Sequence, residues 1–396
     1  MAVKTIRNLV GIFIVVVLLG FLLMVTSYSL PMGNAHDNLI NDAPALYDLN
    51  QLLIPNDYST KLDIYTDSLI LTESAYYNES ASVVDNAMSV YGTTGDDKEF
   101  QRYIEGDENV IFGYPRYWHG NLVVYKVLYS FLDYNSIKIL EFCFEIVMII
   151  AILKLMVDND LKNYIIPFLM SIYLIHPEVI GLSLQFSTLF NLMLISVFLM
   201  LKFKKVLFKK RIMLYYFMVL GMLTVFFDLL TYPLVCLGVP LIFYVILEND
   251  NQSLKEIIIN IIVFSALWGI GYVGMWLSKW IIASILLNKN VVLDAVNQLL
   301  FRTSSLEFTR MDAVLANVSV YSFGFYLLIP GLTAIYYIIR LIRSYKGITI
   351  DKLKSIIPFV LVGLTPFLWY FIISNHSYIH FWFTYRELII DRKSVV

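Results

Sequence analysis

The sequence is poor in charge: charged residues make up 15% of its 396 positions, against roughly 25% in a soluble globular domain. Its 29 basic and 31 acidic residues give a net charge of −2, so no basic excess points to nucleic acid. Only two cysteines occur, Cys143 and Cys236, and both lie inside apolar runs. These shortages exclude an ordinary soluble enzyme, a disulfide framework and a zinc site.

Apolar residues dominate instead, at 59% of the chain with a mean hydropathy of +0.70. A helix crosses the hydrocarbon core with about 20 apolar residues, and the first such run, from Leu9 to about Thr26, follows Lys4 and Arg7. A cleaved signal peptide is the alternative for this run, but its length favours an uncleaved helix. We predict an all-α polytopic membrane protein with about nine transmembrane helices, the later ones near 136–156, 164–180, 184–203, 212–228, 231–248, 256–278, 319–341 and 356–374.

Basic residues set the predicted orientation. They crowd the loops at 202–211 and 340–354 and flank the loop at 154–162, all on the side of the N-terminus if the helices alternate. The positive-inside rule makes that side cytoplasmic. We therefore expect a multi-pass protein of the cell membrane with a cytoplasmic N-terminus.

The first outward loop, residues 28–119, is large and acidic. It holds 15 of the 31 acidic residues against four basic ones, and it has enough apolar residues for a small helical cap. Residues 120–132 are apolar but too short to span, which favours an interfacial helix with Tyr125, Tyr129 and Phe131 at headgroup level. We predict one membrane domain over 1–396 that carries this loop and helix.

Three acids near the outer surface are candidates for catalysis or substrate binding. Asp37 and Asp42 follow the first span closely, and Asp67 interrupts an apolar stretch of the loop. A partly buried carboxylate acquires a raised pKa and can accept a proton from a hydroxyl. Helix capping or a turn is the alternative for Asp37 and Asp42. We predict Asp37 as the catalytic residue with Asp67 in reserve, and Asp42 in substrate binding.

The segment YPRYWHG, residues 114–120, places Arg116, Trp118 and His119 beside the interfacial helix. An Arg fork matches phosphate oxygens and aromatic rings can stack on a sugar face, although an aromatic belt is the simpler alternative. The other predicted substrate-binding residues on the outer side are Asp228, in an apolar context near a span end, and His376, His380 and Arg386 in the tail. Arg302 and Arg310 are further candidates for phosphate contacts.

This layout resembles the C-type glycosyltransferase superfamily of integral membrane enzymes. The matching features are Asp37 after the first span, the long 28–119 loop, the 120–132 helix and the outward Arg and His residues. The resemblance covers the whole chain but includes no diagnostic motif, since no Asp-Asp or Asp-Glu pair follows the first helix directly.

The resemblance implies transfer of a sugar from a polyprenyl-phosphate carrier to an envelope glycan or lipid acceptor on the outer face. The carrier and membrane lipid are then the expected partners. Asp37 would act as base, and Arg116, His119 and Arg386 would hold the phosphate. No cofactor is required by a ligand spacing, and a divalent metal on the carboxylates stays open. The alternatives are a transporter or flippase of a lipid-linked or anionic substrate, and a non-catalytic envelope assembly protein.

Overall fold

The computed structural model describes residues 2–248, 251–304, 307–322, 328–343 and 354–390. Within these ranges the chain is mostly helical, and its only named strands form one two-residue pair. Most of the predicted cytoplasmic loop 340–354 lies outside the described residues, as does the 323–327 part of the predicted span 319–341.

Three described helices are long and apolar enough to cross a membrane: Val3–Ser29, Leu184–Lys202 and Leu254–Leu287. Shorter apolar helices cover Arg211–Phe227, Val235–Glu248 and Ile357–Ile372. The helical class and the presence of helices long and apolar enough to span a membrane therefore agree with the sequence. In full, the helices of this part are α1 Ala2–Ser29, α7 Tyr134–Asp158, α8 Ile165–Tyr173, α9 Pro177–Ile180, α10 Leu184–Lys202, α11 Lys204–Leu207, α12 Lys210–Phe227, α13 Val235–Glu248, α14 Leu254–Leu287 and α17 Leu328–Arg343.

The loop between α1 and α7 folds into a small helical cap that also contains a two-stranded antiparallel pair. Tyr91 pairs with Gly113 and Gly92 with Phe112 in this pair, which the sequence patterning did not predict. Capping side chains start several of these helices; Ser82 and Asp85, for example, form a reciprocal capping box. The elements of the cap are α2 Ala35–Asp42, α3 Ile64–Ala75, α4 Val83–Ser89, α5 Asp97–Ile104, α6 Leu122–Tyr129, β1 Tyr91–Gly92 and β2 Phe112–Gly113.

The predicted interfacial helix is shorter than expected and corresponds to α6. Its Tyr125 and Tyr129 are buried inside the protein, where their hydroxyls donate to Leu184 O (2.8 Å) and Asp42 Oδ2 (3.0 Å). Of the three aromatic residues expected at headgroup level, only Phe131 is exposed, at 77%. These two tyrosines therefore join α6 to α10 and α2 within the protein.

Helices α12 and α14 make the most extensive helix–helix contact among the described residues, and glycines let their backbones meet. A Cβ on Gly221 would lie 2.1 Å from Trp268 O, and one on Gly271 would lie 2.2 Å from Met218 O. Small residues at such crossings allow close packing when lipid supplies no hydrophobic drive between helices. The crossing fixes the middle of α14 against the middle of α12.

The described chain after α14 contains further short helices. They are α15 Val291–Thr303, α16 Arg310–Ser319, α18 Ile357–Gly363, α19 Thr365–Ile372, α20 Ser374–Ile379 and α21 Phe381–Thr384. Helix α15 packs on α14 and on α20, and α16 packs on α19 and α20. These contacts bring residues of the tail next to the end of α14.

Candidate functional site: an arginine pocket

The segment at 114–120 is held between α12 and α14 by its own backbone and by Trp118. The Trp118 Nε1 donates to Met275 O on α14 (2.7 Å), and the Gly120 N–H donates to Phe226 O on α12 (2.7 Å). A Cβ at Gly120 would lie 2.3 Å from the Phe226 ring, so the contact requires glycine. The side chains of successive residues in the segment therefore point in different directions.

Arg116 faces a small pocket, partly open at the surface, that is also lined by Arg302 from α15. Two tryptophans of α14 and Tyr117 form an aromatic wall on one side. Two guanidinium groups beside aromatic rings provide the donors and the flat apolar surface that suit an anion attached to an organic group. The residues that line this arginine pocket are Arg116, Tyr117, Trp276, Trp280, Ala295, Gln298, Leu299 and Arg302.

Arg302 is positioned by the tail. Its Nη1 lies 3.3 Å from His376 Nδ1, and His376 Nε2 lies 2.7 Å from Leu230 O. Burial, together with the nearby His380 ring and Arg302, keeps the pKa of His376 well below its usual range. A neutral imidazole can donate from Nε2 and accept at Nδ1, so His376 links Arg302 to the turn after α12.

Arg116 is paired with Asp294 on α15, with Nη1 2.7 Å from Oδ2. The Trp280 Nε1 donates to Arg116 O (2.9 Å), which fixes the backbone of the arginine. The Nε atom of Arg116 is buried and has no hydrogen-bond partner. The Asp294 side chain is 45% exposed and can move. An incoming anion would therefore compete with the exposed Asp294 carboxylate for the Nη1 donor of Arg116.

One buried acid follows α12 and another lies in the tail. Asp228 follows the end of α12, and its Oδ1 accepts from the N–H and hydroxyl of Thr231 at 2.8 and 2.6 Å. Glu387 accepts at Oε1 from Leu234 N (3.2 Å). The second oxygen of each carboxylate is buried and has no partner. Burial and the adjacent Asp228 carboxylate both raise the pKa of Glu387.

His119 lies in a separate buried centre of the cap. Its Nδ1 lies 3.0 Å from Glu73 Oε2 and its Nε2 3.0 Å from Tyr114 O. Lys126 donates to the carbonyls of Glu73 and Ser74 at the end of α3. Because a cation at a helix C-terminus is stabilising, this centre has a clear structural role. His119 and Arg116, three positions apart in one motif, thus make their hydrogen bonds with different partners.

The three acids predicted after the first span are dispersed. Asp37 is exposed on the first turn of α2, which packs on α3 and α6. Asp42 accepts from the Tyr129 hydroxyl and from Tyr134 N (2.9 Å), a structural arrangement. Asp67 is buried and accepts from the Tyr134 hydroxyl (2.6 Å), and burial raises its pKa to about 7.

The sequence predicted Arg386 and His380 as substrate-binding residues. Neither side chain is among those that line the arginine pocket. Arg386 is fully buried and donates to the carbonyls of Ile175 (3.1 Å), Ser59 (3.3 Å) and Trp382 (3.3 Å). His380 stacks on Phe383, and burial with Arg302 and Lys61 nearby lowers its pKa to about 4. Arg386 therefore connects the cap, the turn after α8 and the tail.

Sequence reasoning missed Glu387, Glu73 and the tryptophans of α14. The tryptophans carried a signal, since Trp276 and Trp280 are four residues apart and so share a helix face. The two glutamates carried none, because their partners are distant in the chain. Among the described residues no group of three or more His, Cys, Asp or Glu side chains could hold a metal ion.

Comparison with known proteins identifies no relative. No family model matches the chain, and no curated protein and no solved structure is significantly similar to it.

Proposed function

We propose that this protein is a multi-pass membrane glycosyltransferase that uses a polyprenyl-phosphate-linked sugar on the outer face of the cell membrane. The observation that supports the proposal best is the arginine pocket, which combines two cations and an aromatic wall on a helix long and apolar enough to cross a membrane. The acceptor in this proposal is an envelope glycan or lipid. About nine spans and a cytoplasmic N-terminus belong to the same proposal.

The length of α14 supports a pocket at the membrane boundary. Its 34 residues extend about 51 Å at 1.5 Å per residue, whereas the hydrocarbon core is about 30 Å thick. At least one end therefore projects, and Trp276 and Trp280 lie near the end that carries the pocket. On α15, Leu293, Leu300 and Phe301 are exposed by 55 to 60%, which offers an apolar surface to a lipid tail.

In the proposed reaction Arg116 and Arg302 bind the phosphate of the carrier. Asp228 accepts the proton of the acceptor hydroxyl as the new C–O bond forms at the anomeric carbon. The bond from that carbon to the phosphate oxygen breaks, and the negative charge that develops on the leaving phosphate is stabilised by the two guanidinium groups. Asp37 stays a sequence-based prediction; the position of Asp228 near Arg302 and its free oxygen favour Asp228 as base.

The test is release of polyprenyl phosphate from a panel of polyprenyl-phosphate sugars by the purified protein in lipid nanodiscs, with membrane lipid and glycan extracts as acceptors. We expect Asp228→Asn and Arg302→Gln each to reduce transfer at least about 100-fold, the scale of general-base and electrostatic contributions. Arg310→Gln is the matched control, because Arg310 is an exposed arginine on neighbouring α16. Wild-type rates in the Asp228 and Arg302 variants would contradict the proposal.

A further inference from the structure

Helix α7 carries two glutamates one helical turn apart, Glu141 and Glu145. Neither of them lines the arginine pocket. The helix corresponds to the span predicted at 136–156, and its 25 residues extend about 37 Å at 1.5 Å per residue, enough for a hydrocarbon core of about 30 Å. Glu145 is the twelfth of these 25 residues, so it lies near the middle of the helix.

The two glutamates belong to the inner face of α7, which packs on α10. Glu145 is 2% exposed, and Glu141 is half-buried. The outer face is apolar, which suits contact with lipid. Ionisable side chains that face the interior from a helix in lipid are rare and mark ion or proton pathways. The large exposed apolar residues beside the glutamates are Ile139, Leu140, Phe142, Phe144, Ile146, Val147 and Ile150.

The hydroxyl groups near the glutamates have already used their protons. The Ser187 hydroxyl, close to Glu145, donates to Ile180 O (2.8 Å). The Tyr125 hydroxyl of α6, close to the other glutamate, donates to Leu184 O (2.8 Å). Because a hydroxyl has a single proton, both groups present only lone pairs to the glutamates.

Two buried oxygens of this centre have no hydrogen-bond partner, Glu145 Oε1 and Asn191 Oδ1. The Asn191 Nδ2 donates to Glu141 Oε2 (2.5 Å). None of the ion pairs between described residues includes either glutamate. Two ionised glutamates would therefore be close negative charges without a cation, which is costly inside a protein. A proton on Glu145 removes one charge and adds the donor that the neighbouring acceptors lack.

The other titratable groups nearby do not supply a positive charge. Tyr125 of α6 and Tyr232 before α13, which lies within electrostatic range of Glu145, are uncharged at neutral pH. Lys138, the lysine of α7 nearest in sequence, lies over the Tyr134 ring at 3.9 Å and interacts with Asp67. The charge of the pair is consequently left to a bound proton.

We infer that Glu141 and Glu145 form a proton-binding site inside the membrane domain, with the exchangeable proton on Glu145. A proton fits this centre better than a metal ion, because Asn191 presents its N–H group to Glu141 where a metal would need an oxygen. Among the described residues no group of three or more His, Cys, Asp or Glu side chains could hold a metal. The inference goes beyond the proposed sugar transfer and does not depend on it.

The test is labelling of the full-length protein in nanodiscs with the apolar reagent N,N′-dicyclohexylcarbodiimide, followed by mass spectrometry. The O–H of a protonated carboxyl adds across a C=N bond of the reagent, and the O-acylisourea formed rearranges to a stable N-acylurea. A carboxylate lacks that proton. We expect Glu145 to be labelled at pH 6 and the rate to fall at least about tenfold by pH 10, since the protonated fraction falls about tenfold per pH unit above the midpoint.

Three variants locate the proton. Glu145→Gln should remove the label. Glu141→Gln should keep the label on Glu145 and move the fall in labelling to lower pH, because a neighbouring negative charge favours the protonated form and this variant removes it. Glu105→Gln is the control, because Glu105 is an exposed glutamate of the cap, and it should change neither the label nor its pH dependence.

No label on Glu145 at pH 6 would overturn the inference, and so would a label that stays constant up to pH 10, because the proton would then not exchange. Protection of Glu145 by added sodium at constant pH would also overturn it, since the site would then bind a metal cation. An unchanged pH dependence in Glu141→Gln would contradict the pairing of the two glutamates.

Discussion

Arg386 and Glu387 are adjacent residues that make quite different contacts, and the sequence singled out only Arg386. An outward arginine in an aromatic tail is typical of a phosphate ligand, yet three backbone carbonyls occupy this guanidinium. Glu387, which carries no motif, instead lies near Asp228. Residue roles of this kind depend on partners more than 100 positions away, such as Ile175 and Leu234, and no local pattern encodes them.

Arg386→Ala should destabilise the fold and leave no specific defect in phosphate binding. The substitution removes the donors of three carbonyls, each costing about 1–3 kcal/mol when buried and unpaired. We expect a thermal unfolding midpoint several degrees lower in nanodiscs. Arg386→Lys should be intermediate, because an ammonium cannot match the planar fork. A normal thermal unfolding midpoint together with weaker binding of farnesyl phosphate would instead support Arg386 as a phosphate-binding residue.

Asp67 should make stability fall as pH rises toward neutrality. Its pKa is about 7 in the folded protein, against 3.8 for an ordinary Asp, because burial outweighs the bond from Tyr134. The folded state thus holds a proton that the unfolded state releases above about pH 4, and stability decreases between these values. The full effect is of order 4 kcal/mol, from about 1.4 kcal/mol per pKa unit.

The Asp67→Asn variant should accordingly lose less folding stability than the wild type as the pH rises. The measurement is the unfolding midpoint of wild type and variant at steps from pH 4.5 to 8, with Asp37→Asn as the exposed control. The difference between Asp67→Asn and wild type should grow with pH through 7. A constant difference over this range would mean that Asp67 is ionised throughout.

At the scale of elements, helix existence was predictable wherever an apolar run was uninterrupted. The predicted spans at 184–203 and 212–228 agree with α10 and α12 to within two residues. The predicted span at 164–180 is instead broken between α8 and α9, where His176 adopts a positive φ of 59°. Its Nε2 lies 2.9 Å from Ser59 Oγ in the cap. That break depends on a tertiary contact, so hydropathy could not locate it.

Glycine positions on α14 provide a matched test of the helix crossing. Gly271→Ala should be strongly destabilising, because its new Cβ would lie 2.2 Å from Met218 O of α12 and neither backbone can yield easily. Gly269→Ala, two residues away, meets nothing within 4 Å and should be neutral or stabilising, since Ala gains up to about 1 kcal/mol over Gly in a helix. Unfolding midpoints of the two variants give the comparison. Equal midpoints would show that the helices pack differently.

For the molecule as a whole, composition predicted a membrane protein and the helical class, but not the arrangement at the pocket. The pocket combines the 114–120 segment, the end of α14 and α15, and the tail contributes His376 behind Arg302. These segments are far apart in the sequence, and α12 and α14 bring them together through backbone contacts at glycine. Patterns of charge and hydropathy indicate which segments of a chain are buried. They carry little information on which helix ends lie next to each other in the fold.

The last prediction concerns the orientation of the whole chain, which follows from its basic loops. Single cysteines introduced by Ser80→Cys in the cap and Lys205→Cys on α11 should differ in reactivity in a background carrying Cys143→Ser, since native Cys143 is exposed. The positive-inside rule places the cap outside and the Lys-rich 202–211 loop in the cytoplasm. An impermeant maleimide should therefore label the Ser80 position in intact cells, and the Lys205 position only after permeabilisation. Because a pocket on the cytoplasmic side would have no access to an outer-face acceptor, labelling of the Lys205 position in intact cells would reverse the orientation and remove the proposed outer-face transfer.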